Sequence, residues 1–93
     1  MQEKETDLDL INAVLAGQTA QYAVLVKRHQ RFVFTLAMRF AKNREDAEDM
    51  LQEGFIKVFT QMHTFQNKGS FEGWVRRIMV HTSINFLKKY KKF

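Results

Sequence analysis

The sequence predicts an all-α fold, a compact bundle of about four helices. Three observations lead there: 93 residues without a proline, apolar side chains recurring at helical spacing, and no alternation of apolar and polar residues of the kind a half-buried strand carries. The expected helices cover residues 8–16, 20–41, 44–63 and 71–91. Ahead of the first, Thr6 is a candidate N-cap, and Gly17 stands where a left-handed residue ends a helix. That helix is too short to hold without tertiary packing.

The second helix follows Thr19 and gathers Tyr22, Leu25, Val26, Val33, Leu36, Ala37 and Phe40 on one apolar stripe. His29 falls on the same stripe and reads as a hydrogen-bonded core histidine rather than a metal ligand. In the third helix Asn43 can cap, and Glu45 and Asp46 occupy the first turn, where the helix dipole favours negative charge. The connection TFQNKG, residues 64–69, is polar except for Phe65, and Ser70 can cap the fourth helix.

Composition narrows the function classes. A hydrophobic content of 45% with nine Phe is that of a folded core, and a chain of this length buries about 60–65% of its unfolded surface. No uncharged apolar run is long enough to span a membrane, and the first ten residues lack the basic and apolar regions of a signal peptide, so a cytoplasmic protein without membrane insertion is expected. The absence of cysteine excludes disulfides, thiolate metal sites and thiol nucleophiles. The glycines are isolated and form no phosphate loop, and the three histidines make no metal pair. Glu45, Asp46, Glu48, Asp49 and Glu53 could be imagined as catalytic carboxylates, but at a helix start they serve solvation, the dipole or a partner. Neither an enzyme nor a cofactor is expected.

Charge is unevenly placed. Residues 1–67 hold 8 basic and 9 acidic side chains, whereas residues 68–93 hold 7 basic and 1 acidic, so the positive field belongs to the last third and points to a polyanion. In FEGWVRRIMVHTSINFLKKYKK, at about 100° per residue, Trp74, Arg77, His81, Asn85 and Lys88 fall within an arc of about 80°. Val75, Met79, Thr82, Phe86 and Tyr90 form a second face suited to packing. Lys and Arg suit phosphates, Trp suits stacking, and His and Asn suit base edges, so Trp74, Arg76, Arg77, His81, Asn85, Lys88 and Lys89 form a candidate nucleic-acid surface. A solvated basic face is the plainer alternative for the same residues. For Trp74, wedging the loop against the core competes with stacking on a base.

The third helix also carries two faces. Ala47, Leu51, Phe55, Val58 and Met62 align as a core stripe, and Asp46, Asp49, Gln52, Glu53 and Ile56 align opposite. Steering charge around an apolar residue suits a protein partner with a basic helical surface, the alternative being a solvated acidic face that tolerates one Ile.

DAEDMLQEGFIKVF, a short polar loop and then FEGWVRRIMVHTSINFLKK, in this order and spacing, resemble the second conserved region of bacterial RNA polymerase sigma factors of the extracytoplasmic-function group. The resemblance spans residues 8–89, including GQTAQYAVLVKRHQRFVFTLA. It implies transcription initiation as the function: a promoter-recognition and DNA-melting domain. Its partners would be the large clamp subunit of core RNA polymerase and the single-stranded non-template strand of the minus-10 element, with an anti-sigma factor as a further candidate. Asp49, Gln52 and Glu53 match the positions most associated with the clamp coiled coil, with Asp46 and Ile56 on the same face. The loop from Phe65 to Phe71, with Asn67, Lys68, Ser70 and Phe71, matches the segment that receives a flipped base. A generic helical nucleic-acid module and a helix-docking interaction domain remain the alternative readings.

Three departures accompany the resemblance. His81 stands where many family members have Asn, and Asn85 with Lys88 and Lys89 replaces a commoner acidic and arginine-rich ending, so the promoter letters do not carry over. Members of the group usually continue into a helix-turn-helix domain for the minus-35 element, so residues 1–93 are expected to be a single region 2 domain without it.

Overall fold

In the computed structural model, which describes residues 5–90, the order is α1 (Asp7–Leu15), a 3-10 turn (Thr19–Gln21), α2 (Tyr22–Met38), α3 (Arg44–Gln61), a second 3-10 turn (Met62–Thr64) and α4 (Phe71–Tyr90). All four expected helices are present, and the described residues contain no strand. The expected extension of the last helix to residue 91 lies outside the described residues.

Local chemistry sets the helix ends. Thr6 and Asp9 form a reciprocal capping box, each side chain accepting the other's backbone N–H at 3.0 Å. Gly17, with φ 105°, closes α1: its N–H donates to the Val14 carbonyl and that of Gln18 to the Ala13 carbonyl, the paired bonds of a Schellman turn. The Asn43 side chain accepts the Asp46 N–H at 2.8 Å, and the Ser70 hydroxyl accepts the Gly73 N–H at 2.9 Å.

Two boundaries differ from expectation. The Thr19–Gln21 turn precedes α2, and α2 ends at Met38 instead of residue 41. There the N–H groups of Phe40 and Ala41 both turn onto the Ala37 carbonyl, tightening the chain toward the Asn43 cap.

The interior forms two clusters. The larger joins Leu10, Ile11 and Val14 of α1 to Leu25, Val33 and Leu36 of α2, Phe55, Val58 and Met62 at the α3 end, and Phe71, Val75 and Met79 of α4. The smaller joins Ala37, Ala47, Met50 and Phe86. The end of α2 thus meets the start of α3, and the end of α3 meets the start of α4, so α3 runs antiparallel to both neighbours and α1 covers the end where α4 begins.

On α3 the buried arc is wider than the expected stripe. Leu51 is half-buried, whereas Met50 and Gly54 are buried, because α3 packs between α2 and α4. A Cβ on Gly54 would stand 1.9 Å from Met79 Sδ, so the missing side chain permits the close α3–α4 crossing. That proximity explains a glycine in mid-helix, where it costs about 1 kcal/mol relative to Ala. On α4, Thr82 and Phe86 are buried as expected, but Tyr90 is 52% exposed because the last turn projects past the packed interior.

Candidate nucleic-acid and polymerase interfaces

The acidic line of α3 forms one wall of a groove. Asp46, Asp49, Gln52, Glu53 and Ile56 line a cavity of about 440 Å³ whose other wall is Phe86 and Tyr90 of α4. Ile56 is 63% exposed, the largest exposure among the bulky apolar side chains of the described residues. An apolar residue that open to solvent inside a carboxylate rim has the chemistry a protein partner with a basic surface would recognise. The α4 wall was invisible to a single-helix reading, because Phe86 and Tyr90 reach α3 only through the helix crossing.

The opposite end of α4 carries the loop. Asn67, Lys68 and Ser70 are exposed, and the backbone is left-handed at Asn67, φ 56°, and Gly69, φ 78°. The Ser70 oxygen is engaged as the helix cap. Phe71 differs from its expected role as a strand contact: at 7% exposure it is part of the core, because the first turn of α4 faces α2 and the end of α3. Its ring meets Phe65 at 5.5 Å edge-on and Trp74 at 5.8 Å stacked, and Phe65 meets Trp74 at 5.3 Å. Three rings thereby brace the two ends of the loop.

Trp74 is half-buried, and it does two things at once. One side joins the ring triangle, and the other lines a groove of about 220 Å³ between α3 and α4 with Arg77, His81 and Asn85. The same groove includes Lys57 and Gln61 of α3, which the sequence reading passed over. Their spacing of four residues on one helix was the available signal, but nothing in it pointed toward α4.

The basic residues of α4 divide. Arg77 faces the α3 groove, while the Arg76 guanidinium lies 4.9 Å over the Phe32 ring on the α2 side, near Arg39. Lys88 is exposed, and Lys89 sits 5.1 Å over the Tyr90 ring. Asn85 and Lys89 also line a cavity of about 270 Å³ with Glu53, Ile56, Lys57 and Phe86. The acidic and basic surfaces are therefore continuous along the α3–α4 seam.

His29 is 9% exposed, and its Nε2 lies 2.9 Å from Asp7 Oδ2, the satisfied core position expected of it. Burial pushes the Tyr22 phenol above its ordinary range, with the Phe59 backbone acting weakly the other way; its hydroxyl donates to the Phe55 carbonyl. Among the described residues no group of three or more His, Asp or Glu is placed to hold a metal ion, and no helix is long and apolar enough to cross a membrane.

The chain is 36% identical over 87 residues to the ECF RNA polymerase sigma-E factor of Haemophilus influenzae, covering 94% of this chain and 46% of that protein. It is 31% identical over 87 residues to the RNA polymerase sigma-H factor of Pseudomonas aeruginosa, covering 94% of this chain and 45% of that one. The chain thus spans about half the length of these curated relatives. Among solved structures it superposes on an engineered region 2 of sigmaE, determined by NMR in complex with GTAAAA, with a TM-score of 0.87 and 34% identity over 96% of this chain and 93% of that one. The family model described as sigma-70 region 2 matches residues 25–93, from near the start of α2 through α3, the loop and α4, and the chain belongs to that family.

Proposed function

We propose that this chain works as the promoter-melting domain of an extracytoplasmic-function sigma factor. It docks the large clamp subunit of core RNA polymerase through Asp46, Asp49, Gln52, Glu53 and Ile56. It holds the melted non-template strand of the minus-10 element with the 65–71 loop and α4. The observation that carries the reading is the superposition, at a TM-score of 0.87, on a sigmaE region 2 solved with GTAAAA. The exposed line of Trp74, Arg77, His81 and Asn85 supports it from this chain's own chemistry.

The action is binding-driven. Base stacking of about 1–3 kcal/mol per base, with contacts in the loop, offsets the cost of unpairing. No bond is made or broken by this domain, and a cytoplasmic location follows from its partners. A free-standing nucleic-acid binder would have no use for the acidic groove around Ile56, which favours the sigma reading over the generic one.

Capture of core polymerase tests the docking half. The wild-type chain retains polymerase from a bacterial extract, and Glu53→Lys, still folded by circular dichroism, loses most of it. Equal retention by the wild type, Glu53→Lys and Asp49→Lys would remove the docking assignment.

A further inference from the structure

We propose that Asp7 and His29 are positioning residues for the strand-receiving loop, acting through Phe71; the inference rests on the DNA reading above. A chain of contacts runs from α1 to the loop. Asp7 lies in the first turn of α1, where the helix dipole favours its charge, and its two carboxylate oxygens have different partners. Oδ1 takes Arg28 Nη1 at 3.3 Å, and Oδ2 takes His29 Nε2 at 2.9 Å. An ionised carboxylate only accepts, so Nε2 carries the proton of this bond.

That bond fixes the plane of a nearly buried ring. The imidazole meets Phe71 edge-on, with centroids 5.4 Å apart and planes inclined by 70°. Phe71 in turn braces Phe65 and Trp74, the other two rings of the triangle. The loop between these rings has two left-handed residues and an exposed surface from residue 66 to 70, so its shape is set from its aromatic ends. A pocket for a base depends on geometry held by such supporting contacts, and a small displacement of Phe71 moves the loop and the Trp74 edge together. Arg28 and His29 sit on α2 and Asp7 on α1, so none of the three needs to touch the strand.

The test uses GTAAAA, hexamers varied from it at one base each, and the emission of Trp74, the single tryptophan. The wild type discriminates among the hexamers. Asp7→Ala and His29→Ala narrow the span between the tightest and weakest hexamer by about threefold to tenfold and shift Trp74 emission. His29→Gln, whose amide nitrogen reaches the Nε2 position, restores most of the span. Polymerase capture stays at the wild-type level, since the acidic groove lies along the α3–α4 seam away from Asp7. Should His29→Ala fail to fold, Asp7→Ala decides, because its side chain is 30% exposed at a helix start. Folded variants with the wild-type span and emission overturn the proposal, as does a parallel loss of polymerase capture, which would mark plain destabilisation. A wild type that ranks all hexamers equally overturns the DNA reading and this proposal with it.

Discussion

The α3 acidic face and the loop with the start of α4 are built in opposite ways. Asp49, Gln52, Glu53 and Ile56 project from one regular helix whose buried side, Ala47, Met50, Gly54 and Phe55, holds it independently of what the outer side carries. The loop has no such separation. Its ends are tied by Phe65, Phe71 and Trp74, and Phe71 belongs to both the loop brace and the core. Substitution on the outer side of α3 therefore leaves the core intact, while substitution of Phe71 disturbs the loop and the core together.

The largest effect comes from breaking that shared residue. Phe71→Ala removes a core ring at 7% exposure and costs about 3–5 kcal/mol of stability in denaturant unfolding. Glu53→Lys, the corresponding insult to the acidic face, costs about 0.5 kcal/mol. A small loss at Phe71 would show that the loop is held independently of the core and dissolve the contrast.

The seam between the two faces offers a smaller effect of opposite sign. Thr82 is 1% exposed on α4, and its hydroxyl has no hydrogen-bond partner among the described residues. Thr82→Val keeps the shape and removes the orphaned hydroxyl, so the melting temperature rises by the equivalent of about 1 kcal/mol. A fall would mean that the hydroxyl is satisfied in solution.

Smallest is the alkaline response of Tyr22, whose ring packs against Phe59 of α3. Burial raises the Tyr22 phenol above its ordinary value of 10.0, so the folded state keeps a proton that the unfolded chain releases. Its contribution to stability is complete below pH 10.0 and is lost as pH rises from there toward the folded value. Tyr22→Phe should flatten the decline in stability above that pH, as read from denaturant midpoints across an alkaline series. An unchanged slope would show that the phenol is open to solvent.

The same contrast governs how much was legible in the sequence. Thr6, Gly17, Asn43 and Ser70 were readable as caps because capping is local chemistry. The α3 acidic line was readable because it lies on one helix with one period. Its second wall was not, since Phe86 and Tyr90 come from another element. Arg76 and Arg77 are neighbours in sequence but face α2 and α3 respectively, a division fixed by helix packing. The end of α2 at Met38 was hidden because Arg39, Phe40 and Ala41 are all helix-compatible and no glycine or proline marks the stop. Phe71 was assigned to the strand through a family position, and a position in a motif does not say which way a side chain turns.

Selection of a melted strand by the loop and the α3–α4 groove is the step on which the proposed function turns. Fluorescence anisotropy at low salt, comparing GTAAAA and its single-base variants with the matching duplexes, addresses it directly. Single strands bind more tightly than duplex. Trp74→Ala weakens every strand, because stacking tolerates every base, and narrows the span among them, because it removes one ring of the loop brace. Asn85→Ala changes the ranking, because an amide reads base edges. Equal affinity for single strand and duplex, with one ranking shared by the wild type and Asn85→Ala, would contradict it.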